Sequence, residues 1–216
     1  MICLVSCDFI TKLPDLCCPN LEELDLCNCK NLIEVHESIG FLEKLKVWIL
    51  CNCSQLQILP STLMLKSLEY FVLSSCKRLE KLPDMCCPNL EIFDLNNCKN
   101  LIEVHKSIGF LEKLKKWDLT GCSQLQILPS TLILKSLEYF GLGNCSRLEK
   151  FPDIHPDMNC LLALDLTCSG IRELPSSLLY QTGLDNLSLN GSKLTNFLVG
   201  ANKSQMREEE DIPFAN

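Results

Sequence analysis

The sequence predicts an α/β solenoid, one domain built by stacking a short unit many times, and three observations carry that prediction. Leu21-Glu22-Glu23-Leu24-Asp25-Leu26-Cys27-Asn28-Cys29 reads L-x-x-L-x-L-x-x-C, and this nine-slot phrase recurs, with aromatic or Ile substitutions, along most of the 216 residues. Setting its sixth slot in register gives nine copies, at Leu4, Leu26, Leu50, Leu73, Leu95, Leu119, Leu142, Leu166 and Leu189, at intervals of 22, 23 or 24 residues. Within each copy, residues such as Leu24 and Leu26 alternate with variable ones, as in a short strand that buries every second side chain. Such a phrase at such a period marks a leucine-rich-repeat solenoid, a horseshoe with a parallel β-sheet on its concave side. One unit cannot cover its own apolar face, so the units stack and share a core.

Residues 1–13 begin inside a repeat, with Ile2, Leu4 and Cys7 in the places of Leu24, Leu26 and Cys29. Terminal repeats need a polar outer face, so this start suggests a fragment or a chain preceded by another domain; Met1 reads equally as an authentic start. From Pro14 onward, residues 14–82 and 83–151 align without a gap as a 69-residue tandem duplication of three repeats each, identical at 54 positions. Each phrase is followed by a segment such as Leu56-Gln57-Ile58-Leu59-Pro60-Ser61-Thr62-Leu63. There Leu56 and Leu59 continue the core, and Pro60 removes an amide donor and interrupts regular hydrogen bonding. The convex side is therefore expected to hold turns, extended pieces and single helical turns. After Pro152 the copies diverge, and Ser169 and Ser192 replace the phrase's last Cys. The repeat domain is placed at residues 1–197, and the polar, acidic residues 198–216 are expected to form a disordered tail.

Composition narrows the function. Hydrophobic residues make up 47 % of the chain, ample for a core, and only 6 % are aromatic. Trp48, Phe71, Phe93, Trp117 and Phe140 all fill slot 4, which is Leu in the other full repeats, so they read as core and not as ligand contacts. The net charge is −7, of which Arg207-Glu208-Glu209-Glu210-Asp211 supplies −3. No basic stripe appears, which argues against nucleic acid as partner. No apolar stretch is long enough to span a bilayer and no secretory leader is visible. A soluble chain without membrane partner, cytoplasmic or nuclear, is the expectation.

Seven of the 16 cysteines, Cys7, Cys29, Cys53, Cys76, Cys98, Cys122 and Cys145, occupy slot 9. A small residue is needed there beneath a tight turn, and a reduced Cys serves as a small buried hydrophobe. Reduced thiols are expected throughout, since no secretory signal is seen. Cys27-x-Cys29 and Cys51-x-Cys53 resemble metal half-sites, but the first Cys of each should point out and the second in, so no metal is expected. Cys27 and Cys51 are expected as lateral neighbours roughly 5 Å apart, where incidental oxidation would join them. His36 and His105 belong to the repeat, since no nucleophile and third orienting group accompany them, and His155 between turn residues reads as solvent-exposed. No catalytic residue and no cofactor is assigned.

The duplication also marks a face. Slots 2, 3, 5, 7 and 8 are expected to point outward, giving 15 positions per unit; nine of these differ between the copies, against six of the other 54. Solvent-facing residues drifting faster than core would produce some of this bias. The exposed residues of the connecting segments hardly changed, however, and the exchanges alter charge and bulk, which favours a diversified ligand-facing surface.

Pro19-Asn20-Leu21-Glu22-Glu23-Leu24-Asp25-Leu26, Cys29-Lys30-Asn31-Leu32-Ile33-Glu34-Val35-His36 and Ser38-Ile39-Gly40 resemble the leucine-rich-repeat region of plant intracellular immune receptors of the TIR–nucleotide-binding type, the tobacco mosaic virus resistance protein N-like group. Phe151-Pro152-Asp153-Ile154 and Gly170-Ile171-Arg172-Glu173-Leu174-Pro175-Ser176-Ser177 resemble later repeats of that family. The resemblance implies a sensor of pathogen effectors or host proteins, working beside a TIR domain and a nucleotide switch. The chain has no G-x-x-x-x-G-K-[ST] phosphate loop, so neither nucleotide binding nor NAD hydrolysis is assigned to it.

The expected function is a non-enzymatic protein-recognition module with a concave sheet about 40 Å long. The outward residues Glu23, Asp25, Val47, Ile49, Tyr70, Val72, Ile92, Asp94, Lys116, Asp118 and Tyr139 are its candidate contacts, with Tyr a natural anchor. A second reading is a scaffold that restrains a neighbouring nucleotide-binding domain through the N-terminal repeats. A third, a ubiquitin-ligase adaptor, requires an F-box that is not seen. An extracellular receptor is disfavoured, since the connector is x-L-P and not G-x-I-P.

Overall fold

The computed structural model describes residues 1–195; the expected tail at 198–216 lies outside the described residues, as do 196 and 197 of the repeat domain. One sheet of nine parallel strands runs through the described chain in sequence order. Its strands are Ile2–Cys3, Glu23–Asp25, Val47–Ile49, Tyr70–Val72, Ile92–Asp94, Lys116–Asp118, Tyr139–Gly141, Ala163–Asp165 and Asn186–Ser188. Every strand pairs with the next at the same slot: Glu23 faces Val47, Leu24 faces Trp48 and Asp25 faces Ile49, and so on. Slots 1, 4, 6 and 9 point inward and are buried, as at Leu45, Trp48, Leu50 and Cys53. The slot-4 aromatics stack along the core, with ring centroids 4.8 Å apart for Trp48 and Phe71, 5.4 Å for Phe71 and Phe93, and 4.8 Å for Trp117 and Phe140.

Slot 8 points outward as expected, with Asn52, Asn97 and Asn144 exposed, and it also holds the backbone turn that ends each strand. Asn28, Asn52, Ser75, Asn97 and Asn144 have φ between 58° and 64°, and Gly121 has φ 80°. Only Gly, or a short polar residue able to bond locally, adopts this left-handed region readily. The exchanges Asn52/Gly121 and Ser75/Asn144 therefore stay within turn-compatible residues.

The turn sends slot 9 into the core, where its thiol does more than fill space. Cys53 Sγ donates to Leu26 O at 3.2 Å, Cys76 to Leu50 O at 3.2 Å, Cys98 to Leu73 O at 3.1 Å, Cys122 to Leu95 O at 3.3 Å and Cys145 to Leu119 O at 3.2 Å. Each bond ties one repeat to the slot-6 carbonyl of the repeat before it. Burial pushes the thiols of Cys53, Cys98 and Cys145 up to about 12, and those of Cys76 and Cys122 well above the ordinary thiol range.

The convex side is short turns and fragments, as expected. Three single-turn 3-10 helices, Glu37–Phe41, Lys106–Phe110 and Ser176–Tyr180, recur once per three repeats. His36 and His105 start the first two: Ser38 N donates to His36 Nδ1 at 3.2 Å, and Ser107 N to His105 Nδ1 at 3.3 Å. His155 likewise accepts from Asp157 N, at 3.2 Å. Two-residue parallel pairs, such as Thr62–Leu63 with Asp84–Met85, close the other repeats. Gly40 lies where the helical turn meets the next repeat: Met64 N donates to Gly40 O at 2.7 Å, and a Cβ on Gly40 would collide with the Thr62 carbonyl oxygen.

Gly40→Ala is accordingly expected to cost ~1–3 kcal/mol, the usual penalty of overpacking, measured by urea denaturation. A pH effect follows from the buried thiols. Their folded pKa lies above the unfolded one, so their stabilisation is complete below the ordinary thiol pKa of 9.0 and is lost as pH rises through about 12. The denaturation midpoint should fall steadily above pH 9.0, more than in a Cys53→Ala, Cys76→Ala variant compared with its own neutral-pH value.

Candidate functional site

The concave surface is written by slots 3, 5 and 7, since slot 8 is the turn and slot 2 is spent on links between neighbours. Lys46 Nζ meets Glu22 Oε2 and Lys115 Nζ meets Glu91 Oε2, each at 2.8 Å; such exposed pairs contribute little stability, and slot 2 is identical in both units. With the face so defined, seven of its nine positions per unit differ between the copies, against eight of the other 60. Substitution is more concentrated than the five-slot reading implied.

In-register pairing brings all the sequence-selected residues onto this one sheet. Glu23, Tyr70 and Lys116 are exposed there, and Asp25, Val47, Ile49, Val72, Ile92, Asp94 and Tyr139 are half-buried. Asp118 departs from the outward expectation, with only 9 % of its surface exposed. Its Oδ1 accepts from Thr120 N at 3.0 Å and lies over Gly141, 2.7 Å from where a Cβ would stand, so that the carboxylate is covered by Thr120 and Tyr139. Asp25, Asp94 and Asp165 likewise accept from Cys27 N, Asn96 N and Thr167 N, at 2.9 Å each. Slot-5 aspartate is thus a cap for the turn as well as a charge on the face.

The two units present different chemistry. Slots 3 and 5 of the first are largely apolar from Val47 and Ile49 through Val72, continuing to Ile92. Those of the second carry Asp94, Lys116, Asp118 and Tyr139, with Asp165 in the next repeat. Lys116 Nζ sits 5.5 Å from the centre of the Tyr139 ring, within cation–π reach. Burial raises the Asp94 pKa, with the Asp118 charge adding and the Asn96 amide and Lys116 opposing. Burial, reinforced by Asp118, raises that of Tyr139.

Three contributors were not among the sequence-selected residues. Gly141 and Gly143 are buried beneath neighbouring side chains that close over them: a Cβ on Gly141 would stand 2.7 Å from Asp118 Oδ1 and 2.9 Å from the Tyr139 hydroxyl, and one on Gly143 would stand 2.7 Å from Asp165 Oδ2. Their signal was the exchanges Val72/Gly141 and Ser74/Gly143. Asp165 was legible as the slot-5 partner of Asp94 and Asp118 in a diverged repeat. The buried Thr120 hydroxyl closes over the same glycine beside the Tyr139 hydroxyl, each 2.9 Å from the Gly141 Cβ position.

Cys27 and Cys51 correct the expectation of reduced thiols throughout. They are lateral neighbours as expected, with Cα atoms 4.7 Å apart, and a disulfide joins them. The other 14 cysteines are free.

No family model matches the sequence. Among curated proteins it is 43 % identical over 103 residues to the TMV resistance protein N of Nicotiana glutinosa, covering 47 % of this chain. It is 33 % identical over 188 residues to the disease resistance protein RPP5 of Arabidopsis thaliana, covering 77 % of this chain. Among solved structures, a leucine-rich-repeat protein of Leptospira interrogans superposes with TM-score 0.62 and 25 % identity, over 87 % of this chain and 48 % of that one. The chain is a leucine-rich-repeat region of the plant disease resistance family. It spans 9 % of the Nicotiana protein and 13 % of RPP5. Among the described residues of this repeat region, no helix is long and apolar enough to cross a membrane, and no three His, Cys, Asp or Glu side chains group as metal ligands.

Gly141→Val, which restores the residue of the first unit, should push the Tyr139 ring off the sheet. Its raised pKa would then move back toward the ordinary phenol value in an ultraviolet titration of the three tyrosines. An unchanged titration would mean that the missing side chain at Gly141 does not hold the ring in place.

Proposed function

We propose that this chain is the non-enzymatic recognition module of an intracellular plant immune receptor, and that its concave face binds a protein, a pathogen effector or a host protein. The observation that supports this reading is the placement of divergence. Two units identical at 54 of 69 positions disagree at seven of the nine residues of the concave face, and at eight of the other 60. Drift of exposed residues alone would not favour one face so strongly, since the convex side changed at few exposed positions, Glu37/Lys106 and Lys77/Ser146 among them.

The chemistry of the face supports one class of partner. An apolar stretch of Val47, Ile49, Val72 and Ile92 runs into an acidic patch of Asp94, Asp118 and Asp165, with Tyr139 and Lys116 beside it. A segment with apolar side chains followed by Arg or Lys would complement it, the base lying against the acidic patch. Burying a paired charge there gives specificity as well as affinity, and Tyr139 and Tyr70 supply aromatic anchors.

Random peptides displayed on phage and selected on the immobilised chain test the reading. The selected peptides should combine apolar residues with Arg or Lys. The variant Lys116→Val, Asp118→Ile gives the second unit the residues of the first, so the fold tolerates it and its far-ultraviolet circular dichroism should match the parent. Binding should weaken about tenfold or more, as for an interface anchor worth ~1–2 kcal/mol. Peptides that bind the variant as tightly as the parent would place recognition elsewhere.

A further inference from the structure

We propose that Cys27 and Cys51 form a reversible redox site on the concave face: a dithiol oxidised to the disulfide by a peroxide or by glutathione disulfide, and returned by a small thiol such as reduced glutathione. This goes beyond the recognition role and does not depend on it.

Position supplies the first argument. The two residues hold slot 7 of adjacent strands, 4.7 Å apart at Cα, which is the spacing that parallel pairing imposes on any two lateral neighbours. The backbone bonds that fix this spacing, Asn28 N to Cys51 O at 2.7 Å and Leu26 N to Ile49 O at 2.8 Å, belong to the sheet and not to the sulfurs. Making or breaking the S–S bond therefore requires no movement of the chain.

Selectivity supplies the second. The slot-9 thiols from Cys29 to Cys145 are fully buried and occupied as donors to carbonyls. Burial also keeps them protonated, Cys53 and Cys98 up to about 12, and a thiol reacts as its thiolate. Cys27 and Cys51 are half-exposed on the open face and each has its resolving partner already in place. The other exposed cysteines, among them Cys3, Cys86 and Cys160, have no partner.

The duplication supplies the third. The second unit has Asn96 and Thr120 at the same two slots and forms the same strands in the same register, so the cross-link is not needed to build the fold.

The chemistry balances. With hydrogen peroxide, one thiolate attacks a peroxide oxygen and becomes a sulfenic acid as hydroxide leaves and takes up a proton. The second sulfur then attacks the sulfenic sulfur, and water departs. Two thiols give up two electrons and two protons, and the peroxide becomes two waters. In the reverse direction a glutathione thiolate opens the disulfide to a mixed disulfide, and a second glutathione displaces the first as glutathione disulfide.

The test poises the whole chain in native buffer over a series of reduced-to-oxidised glutathione ratios, quenches in acid, and alkylates in denaturant for peptide mass mapping. All 16 cysteines should alkylate at the reducing end. Cys27 and Cys51 should then disappear together in one two-electron transition while the other 14 remain. Re-reduction should restore both, with circular dichroism constant through the cycle. The variant Cys27→Ser, Cys51→Ser should fold alike and show no transition. The proposal is overturned if both cysteines stay alkylatable throughout, pair with other cysteines, resist glutathione until the protein is denatured, or if the reduced protein or the double serine variant unfolds.

Discussion

Each residue of this protein has its environment set by lateral register. A parallel sheet in which every slot lies beside its own equivalent repeats each local choice along the whole stack. The slot-4 aromatics form a continuous stack because Trp48 pairs with Phe71 and Phe71 with Phe93. Thiols reach carbonyls one repeat away because slot 9 always comes to rest under slot 6 of its neighbour. A one-residue slip would turn the core leucines outward, so turn, slot-9 side chain and strand must agree from repeat to repeat.

That agreement separates the molecule into a part that cannot vary and a part that can. Core slots are fixed by packing, slot 8 by its left-handed φ, slot 2 by links to its neighbours, and Gly40 and Gly109 by the close approach of the next repeat. Slots 3, 5 and 7 carry few of these constraints. Even there, slot-5 aspartate has a structural role through its bond to the turn, yet Ile49 and Val72 show that a strand forms without it. The face can thus change from apolar to acidic over 69 residues while the scaffold beneath remains the same, as a family of recognition modules requires.

The stack itself was legible from the spacing of Leu and Cys, because burial of alternate residues follows from the strand period alone. So was the character of the convex side, from Pro60 and its equivalents. The face was legible only in outline. Asn28 and Asn52 read as outward residues, as they are, but a one-letter pattern does not report the positive φ that ties them to the turn. Asp118 read as exposed because its covering by Thr120 and Tyr139 over Gly141 depends on a glycine in the neighbouring strand. Gly141 and Gly143 were visible as differences between copies, but the side chains that close over them, Asp118, Tyr139 and Asp165, are seen only once the strands are paired. The proximity of Cys27 and Cys51 followed from the strand spacing, but their bonded state did not. His36 and His105 read correctly as parts of the repeat, and the structure added their task, capping the helical turns.

The register is tested most directly by installing a second cross-link where the duplication says one fits. In a variant with Asn96→Cys and Thr120→Cys, the new residues occupy the slots of Cys27 and Cys51. Mild oxidation followed by proteolysis and mass mapping of the bridged peptides should recover two disulfides, 27–51 and 96–120, with the slot-9 thiols free. Pairing of either new cysteine with a slot-9 thiol, or two new cysteines left unpaired while 27–51 forms, would contradict the in-register stack on which the account rests.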